Sequence, residues 1–340
     1  MHTTEQRGNM YFLCIDKPEG YTSHDIVGMF RVLTGWDKIG HTGTLDPFAS
    51  GALLLAIGSA TKLIQYVPHA TDGVMKRYQC RIQLGVETQT GDCTGEEVRR
   101  VEVPAWNLDQ LHNVLAEFIG DVVQTPPIYS AIKVNGKKLY EYARQGISVE
   151  IPSRTIHIDS ITCIAYTQDT IDLDVICSKG TYIRSLGVDI AAKLGTVGHL
   201  SVLRRLISDG VDISSGLSLP QVANMLIAQK DIEDWRLVLS KEGRTLYTRC
   251  SREEFIERLQ PYLLSVEQVF ANLPKLELTL EQAQKTAVGI SLPIESFPAE
   301  TLVQLLYAHR LLAIAQQEPG KLQLQRVNPE IACTISAQQQ

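Results

Sequence analysis

The sequence has no hydrophobic run long enough to cross a membrane and no spacing typical of a metal site. Its seven cysteines are scattered and odd in number, without a Cys-x-x-Cys pair, so we expect no disulfide framework and no zinc or redox site. Its eight histidines also lack ligand spacing. The polar N-terminus and the short apolar run at residues 11–15 do not have the form of a signal peptide. These absences predict a cytoplasmic protein without metal or other cofactor.

Positive charge is scarce overall, since 32 Lys and Arg face 38 Asp and Glu for a net charge of -6. Taken alone, this balance argues mildly against nucleic acid as a partner. The distribution is uneven, however. Residues 125–154 carry five bases and two acids, a net +3, and residues 176–205 carry five bases and one acid, a net +4. Two solvated helix faces or two contacts with a polyanion both explain these basic segments.

The length of 340 residues and the 44% hydrophobic content allow a large domain and a smaller one. We assign residues 11–225 to the large domain, 226–270 to an insertion or linker, and 271–335 to a small C-terminal domain. Hydrophobic periodicity predicts the main elements of the large domain. They are strands at 52–57, 76–84, 155–166, 170–177 and 199–206, and helices after Ser23, near 60–67, at 108–119 and from Tyr182 to 194.

A glycine-framed stretch, Gly40-His41-Thr42-Gly43-Thr44-Leu45-Asp46-Pro47, comes directly before the apolar strand. Its glycines permit turns that strain other residues, and Pro47 biases Asp46 away from the helical region. One carboxylate is thereby placed on a shaped loop at the mouth of a buried strand, where reactive groups are often found. A simple Asp-Pro turn explains the same residues equally well.

Two further features point to chemistry. Residues 124–146 interleave tyrosine with lysine and arginine, and such rings can stack on bases while the cations meet phosphates. Packing of the tyrosines in an ordinary loop and helix is the alternative. Arg184 falls in the first turn of a predicted helix, where the macrodipole disfavours a cation. This placement suggests that Arg184 pairs with a carboxylate elsewhere.

The stretch around Asp46 strongly resembles the nucleophile motif of the TruB-type tRNA pseudouridine synthases. An ordered series of further segments between residues 11 and 220 resembles the same family: 16–20, 76–78, 127–146, 177–184 and 203–205. The resemblance implies an α+β protein with the pseudouridine synthase fold. Such a protein has a central mixed, mostly antiparallel sheet and a small C-terminal α/β domain, which in some family members is a PUA-like RNA-binding module.

The resemblance also implies an activity, the isomerisation of uridine 55 in the T loop of tRNA to pseudouridine with the target base flipped out. Asp46 would be the nucleophile, Arg184 its partner, and Tyr78 a ring stacked on the base and a candidate for proton transfer. The match further implies contacts of substrate with these residues: His41, Tyr78, Tyr182, Leu203 and Lys17.

A carboxylate can perform this isomerisation by attacking C1′ of the ribose, by adding to C6 of the ring, or by removing a ribose proton. The sequence leaves these routes open. We expect the tRNA T-arm as partner, no obligatory protein partner and a monomer. The alternatives are an RNA-binding or tRNA-folding protein without catalysis, a guide-RNA-dependent relative, and an unrelated carboxylate enzyme such as a glycosidase. A glycosidase normally needs a second acid at a defined separation, and no comparable motif supplies one.

Overall fold

A computed structural model describes residues 10–67, 75–226 and 250–337. Nine α-helices occur in these ranges: α1 Ser23–Thr34, α2 Leu108–Ala116, α3 Leu139–Arg144, α4 Ile183–Lys193, α5 Leu219–Leu226, α6 Arg252–Leu259, α7 Val266–Val269, α8 Leu280–Ala287 and α9 Pro329–Ala337. None of the helices in the described part of the chain is long and apolar enough to cross a membrane.

The first twelve strands of the described residues run from the N-terminus to the middle of the chain: β1 Met10–Lys17, β2 Ile39–His41, β3 Ser50–Gly58, β4 Lys76–Leu84, β5 Val86–Thr88, β6 Glu97–Arg100, β7 Gly120–Gln124, β8 Lys133–Val134, β9 Lys137–Lys138, β10 Arg154–Tyr166, β11 Thr170–Cys177 and β12 Gly198–Ser208. Seven more follow: β13 Val211–Asp212, β14 Leu217–Ser218, β15 Leu263–Leu264, β16 Lys275–Glu277, β17 Leu302–Tyr307, β18 Arg310–Glu318 and β19 Lys321–Val327.

An 11-stranded sheet forms the centre of the large domain, with the main order β14-β1-β3-β12-β4-β11-β10-β7. Only the pairs β1–β14 and β3–β12 are parallel. The expected mixed, mostly antiparallel sheet is therefore confirmed. The apolar run of β3 is buried along almost its whole length, because strands cover both its edges and helices and loops cover its faces.

Helix α1 shows how the core fixes the region around Asp46. Its apolar side chains Ile26 and Phe30 are buried in the main core. The sequence predicts Ser23 as the cap of this helix, but the cap is Thr22, whose Oγ1 accepts from Asp25 N at 3.0 Å. The Ser23 hydroxyl instead accepts from Leu45 N at 2.8 Å and donates to Leu45 O at 3.2 Å. Ser23 thus braces the backbone next to Asp46.

The small C-terminal sheet has the order β16-β17-β18-β19 and packs against α8 and α9. Strands β17, β18 and β19 pair antiparallel in succession, so that β18 and β19 form a hairpin. A second apolar cluster joins this sheet to the large one, since Phe12 of β1, Phe270 and Ile314 of β18 pack together. The two parts therefore share a hydrophobic contact.

Residues 226–270 differ from the expected insertion or linker where they can be seen, while residues 227–249 lie outside the described residues. Phe255 and Leu259 of α6 are buried in the main core, and β15 pairs antiparallel with β1. Helix α6 ends at Leu259, and a 3-10 turn containing Pro261 follows. Helix α6 and β15 therefore pack against the large domain, whereas Val266 and Phe270 belong to the cluster shared with the small sheet, and the domain bounds stay predictions.

Candidate active site

The Asp46 loop (residues 42–49) lies between β2 and β3 and is held by hydrogen bonds from several elements. Thr42 N donates to Leu54 O at 3.1 Å, and the Arg205 guanidinium of β12 donates to Gly43 O at 3.1 Å and to Thr44 O at 3.4 Å. Ser23 holds Leu45, as described above. Nearly every peptide before Asp46 therefore has a partner outside the loop, and the loop presents its carboxylate in a fixed position.

The chain passes from the Asp46 loop into β3 at Gly51, a position where only glycine fits. Its φ is 107°, in the region that side chains rarely adopt, and a Cβ built there would lie 2.1 Å from Arg205 O. This close approach lets β3 and β12 run side by side directly after the loop. Gly51 thus permits the close approach of the Arg205 backbone, and the Arg205 side chain can then contact the Asp46 loop.

Arg184 and Asp46 form the centre of the site. Arg184 lies in the first turn of α4, as the sequence predicts, and its side chain is only 4% exposed. Its Nε lies 2.9 Å from Asp46 Oδ2, and its Nη2 donates to Asp46 Oδ1 at 3.2 Å. The predicted pairing of this cation with a carboxylate is present, in the two-point geometry that the planar guanidinium allows.

Three further groups with oxygen atoms contact the Arg184 guanidinium. Its Nη1 donates to Thr90 O at 2.9 Å, and its Nη2 also donates to Tyr129 O at 2.8 Å. The carboxylate of Asp92 lies 3.6 Å from Nη1. These contacts compensate the unfavourable position of the cation at the start of a helix.

Asp92 is a further residue of the site, to which the sequence-based prediction assigns no role. The residue is buried, and its Oδ1 accepts from Thr90 Oγ1 at 2.8 Å and from Thr94 N at 3.0 Å. The local signal is an Asp with a threonine two residues before and two after it, a pattern typical of side-chain-stabilised turns. Asp92 is therefore rigidly held as the second carboxylate beside Arg184.

The pKa of Asp46 lies above its ordinary value. Desolvation by the surrounding protein raises the pKa most, Arg184 lowers it, and the negative charge of Asp92 raises it again. About a third of the side chain, 32%, remains exposed. The carboxylate is thus accessible to solvent, and Arg184 only partly offsets the cost of charging it.

Tyr78 lies in the middle of β4, and its ring belongs to the main apolar core. Arg205 stands opposite it on β12. Burial raises the pKa of Tyr78 to about 12, although Arg205 acts in the opposite direction. The hydroxyl is therefore protonated at neutral pH.

His41 and Tyr182 belong to two other elements. His41 ends β2, and burial lowers its pKa, so the ring is neutral at pH 7. Tyr182 directly precedes α4, where its backbone N and O bond to the Gln124 side chain at 2.8 Å and 3.0 Å. The Arg154 guanidinium lies 5.0 Å from the centroid of the Tyr182 ring. Tyr182 is thus held by backbone and ring contacts together.

Leu203 and Lys17 are predicted substrate-binding residues with clear structural contacts. Leu203 lies opposite Cys80 in the sheet and is buried in the main core. Lys17 is fully buried, and its Nζ donates to Tyr21 O at 2.7 Å, to Pro18 O at 2.9 Å and to Pro47 O at 3.4 Å. Lys17 therefore holds the end of the Asp46 loop, while contact of either residue with substrate stays a prediction.

The basic and tyrosine-rich segment at 124–146 forms the β8–β9 hairpin and α3 beside the site. Lys137 Nζ lies 5.0 Å from the Tyr142 ring centroid, and Lys138 Nζ and the Arg144 guanidinium each lie 5.3 Å from that of Tyr140. The cations and rings alternate in space as in the sequence. They form a positively charged surface with aromatic faces.

Groups of three or more His, Cys, Asp or Glu side chains able to hold a metal ion do not occur among the residues that the structure describes. A cleft of about 800 Å³ is lined in part by Arg184, Thr90, Pro127 and Val188. Its volume lies in the range of small-molecule and nucleotide sites.

The sequence matches the family model described as TruB family pseudouridylate synthase (N terminal domain) over residues 31–183. The tRNA pseudouridine synthase B of Staphylococcus haemolyticus is 36% identical over 321 residues, which cover 91% of this chain and 95% of that relative. The tRNA pseudouridine synthase B of Hydrogenovibrio crunogenus is 46% identical over 191 residues, 56% of this chain and 62% of that relative.

A chain from the crystal structure of a Cbf5-Nop10-Gar1 complex has the same fold. Its TM-score is 0.68 at 21% identity, over 96% of this chain and 90% of that chain. The match to the S. haemolyticus protein extends over nearly the full length of both sequences. The chain therefore belongs to the TruB family of pseudouridylate synthases.

Proposed function

We propose that this protein converts uridine 55 in the T loop of tRNA to pseudouridine, with Asp46 as the nucleophile. The observation that carries the proposal is the Asp46 carboxylate, fixed on a braced loop and contacted at two points by the buried Arg184. The full-length relatives named tRNA pseudouridine synthase B support tRNA as the substrate. The positively charged, aromatic surface at 124–146 supports binding of RNA.

The reaction breaks the N1–C1′ bond of uridine, turns the uracil ring and forms a C5–C1′ bond. The proton on C5 is lost and N1 gains one, so that no redox change occurs. Attack of Asp46 on C1′, its addition to C6 and its removal of a ribose proton all require an ionised carboxylate next to the base. Arg184 favours that ionised form and fixes its direction, which serves all three routes equally.

Tyr78 is proposed to lie against the flipped base and to take part in proton transfer. Its hydroxyl is neutral at pH 7, because burial raises its pKa to about 12. A neutral phenol can donate a proton directly, but it removes one from C5 only when another group accepts its own. His41, Tyr182 and Leu203 are proposed to hold the base and the T loop, which offsets the few kcal/mol of unstacking.

We further propose that the chain acts in the cytoplasm as a monomer, without a guide RNA or an obligatory protein partner. The Asp46–Arg184 pair and the backbone contacts of Arg184 lie within this chain. For the small domain, binding of RNA as a PUA-like module is a prediction. Two lysines of this domain, Lys285 and Lys321, form ion pairs with Glu281 and Glu318. The positive charge of these lysines is therefore no evidence for RNA binding.

The test uses a T-arm stem-loop RNA that carries tritium at C5 of the target uridine. Purified wild-type protein alone is expected to release tritium to water, and Asp46→Asn is expected to bind the RNA without releasing tritium. Asp37→Asn, an exposed acid close to the same loop, is the matched control and keeps the wild-type rate. Tight binding without release by the wild type would contradict the enzymatic proposal and favour a binding protein.

A further inference from the structure

A second buried ion pair lies under the Asp46 loop. Lys76 begins β4, and Asp209 directly follows β12. The Lys76 Nζ and the Asp209 Oδ1 are 3.7 Å apart, with 8% and 2% of the two side chains exposed. The pair contacts Thr42 rather than the Asp46 carboxylate, so the roles given above to the site residues do not explain why two charges are buried here. A buried pair of this kind needs further hydrogen bonds to be tolerated.

Asp209 directs its second oxygen at the Asp46 loop. Its Oδ2 accepts from Thr42 Oγ1 at 2.6 Å and from Ser208 Oγ at 3.1 Å. The φ values of Asp209 and Gly210 are 53° and 78°, as in the two-residue turns that join antiparallel strands, here β12 and β13. This turn thus places the Asp209 carboxylate beside Thr42.

Thr42 is the first residue of the Asp46 loop and has two anchors. Its backbone N donates to Leu54 O at 3.1 Å, and its hydroxyl donates to Asp209. The Lys76 Nζ lies directly below the next residue, since a Cβ built on Gly43 would be 2.8 Å from it. The loop therefore rests on the Lys76–Asp209 pair at one end, whereas Arg184 contacts the carboxylate of Asp46 at the other.

The charges around Asp209 favour its ionised form. Lys76 faces it from β4, Arg205 from β12 and Lys179 from the turn before α4. Burial raises the pKa of Asp209, but Lys76, the Thr42 hydroxyl and Arg205 outweigh burial, and the pKa lies below its ordinary value. Asp209 is therefore an anion at neutral pH and a strong acceptor for Thr42.

We propose that Asp209, together with Lys76, is a positioning residue that fixes Thr42 and thereby sets the Asp46 carboxylate against Arg184. Its effect on turnover rests on the proposed function, but its effect on the geometry of the loop does not. Two separate ion pairs then define the loop: Lys76–Asp209 places its backbone, and Arg184 orients its side chain.

The central test compares Thr42→Val with Thr42→Ser. Valine keeps the shape of threonine but has no hydroxyl, whereas serine keeps the donor to Asp209. Because a displacement of about 1 Å at a reacting group can cost on the order of 100-fold in rate, we expect at least a tenfold slower single-turnover rate for Thr42→Val. The Kd for the RNA stays at the wild-type value, and Thr42→Ser recovers the rate. A purely structural role would lower the thermal stability of Thr42→Val and leave its turnover rate unchanged.

A measurement without substrate keeps the geometric claim separate from the proposed function. The pKa of Asp46, which faces Arg184, Asp92 and Lys17, can be followed by NMR in protein labelled with ¹³C-aspartate. We expect this pKa to be higher in Thr42→Val than in the wild type, because a displaced loop weakens the contact with Arg184. Failure of the wild type to turn over any RNA would contradict the proposed function only, and the Asp46 pKa would still decide the positioning claim.

A double-mutant cycle assigns the effect to the contact itself. Asp209→Asn keeps an acceptor for Thr42 but removes the charge opposite Lys76. If Thr42 acts through Asp209, Asp209→Asn slows the Thr42→Val protein less than it slows the wild type, since valine has already removed the contact that asparagine weakens. Additive losses, or an Asp46 pKa in Thr42→Val equal to that of the wild type, would overturn the proposal. Should Asp209→Asn not fold, the Thr42 series alone decides.

Discussion

Arg184 and Asp46 are 138 residues apart in the chain, yet Nη2 of the arginine donates to Oδ1 of the aspartate at 3.2 Å. The same nitrogen also donates to Tyr129 O, and Nη1 donates to Thr90 O. One guanidinium therefore connects the Asp46 loop, the segment before α3 and the turn after β5. Movement of any of these segments would change the position of the carboxylate.

The first prediction concerns the planar fork of this arginine. Arg184→Lys keeps the charge, but an ammonium group cannot reach Asp46, Tyr129 O and Thr90 O in the same geometry. We expect the single-turnover rate to fall by about 100-fold, as for other groups displaced at a reacting centre, with little change in RNA affinity. Arg81→Lys, which alters an exposed pair with Asp172, is the matched control and keeps the wild-type rate. A fully active Arg184→Lys would show that charge alone suffices.

The second prediction concerns the acid side of the pH–rate profile. Attack requires the ionised carboxylate, and desolvation raises the pKa of Asp46. As pH falls, the rate should therefore decline at a higher pH than an ordinary aspartate would give. Because Arg184 lowers this pKa, Arg184→Gln should move the decline to a still higher pH. Single-turnover rates at saturating enzyme measure this shift, and a shift towards lower pH would refute the assignment of the limb to Asp46.

The third prediction separates the ring of Tyr78 from its hydroxyl. Tyr78→Phe keeps the buried ring in the core, and Tyr78→Leu removes the aromatic face as well. If the hydroxyl takes part in proton transfer, Tyr78→Phe slows the single-turnover rate by about 100-fold to 10,000-fold with RNA affinity retained. Thermal unfolding checks that the Phe variant is folded. A Tyr78→Phe protein with the wild-type rate would restrict the role of Tyr78 to packing against the base.

The fourth prediction concerns Lys17 and stability. Lys17→Met removes a buried donor to three carbonyls, and buried acceptors left without partners cost about 1–3 kcal/mol. We expect a loss of this size in the free energy of unfolding measured with urea. Lys38→Met, at an exposed position near the same loop, is the control and should leave stability unchanged.

The same lysine makes stability depend on pH in a defined direction. Burial lowers the pKa of Lys17 from 10.5 to about 8, so the folded protein loses this proton before the unfolded chain does. The unfolded state then binds more protons between about pH 8 and 10.5, and stability from this group rises with pH there. Lys17→Met should therefore show a less positive slope of unfolding free energy against pH in this window than the wild type. An identical slope would mean that the pKa of Lys17 is not lowered.

The alternating strands were the part of the fold that periodicity predicted best. Strands β4 and β11 begin and end where the alternation of apolar and polar residues begins and ends. The short strand β17 was missed, and residues 250–270 were assigned to a linker although Phe255 is fully buried. The burial of Phe255 depends on contacts within the main core, and β17 depends on pairing with β16 and β18, which the local pattern does not encode.

The residues of the candidate site were likewise predicted only in part. A motif placed Asp46 on a shaped loop, and an unfavourable helix position marked Arg184 as a cation with a distant partner. The threonines around Asp92 indicate only a stabilised turn, and Asp209 carries no comparable signal, because the importance of both residues arises from contacts across the fold. Asp209, for example, bonds to a threonine 167 residues away. The sequence therefore indicated the proposed nucleophile and its partner, whereas the residues that hold them became visible only in three dimensions.

The central claim is that Asp46 isomerises one uridine of the tRNA T loop. The most direct measurement incubates an unmodified full-length tRNA transcript with the purified protein and maps pseudouridine by carbodiimide labelling and primer extension. We predict a single stop at position 55 with the wild type and none with Asp46→Asn, although both bind the transcript. Stops at other uridines, or a stop at position 55 that persists with Asp46→Asn, would contradict the account.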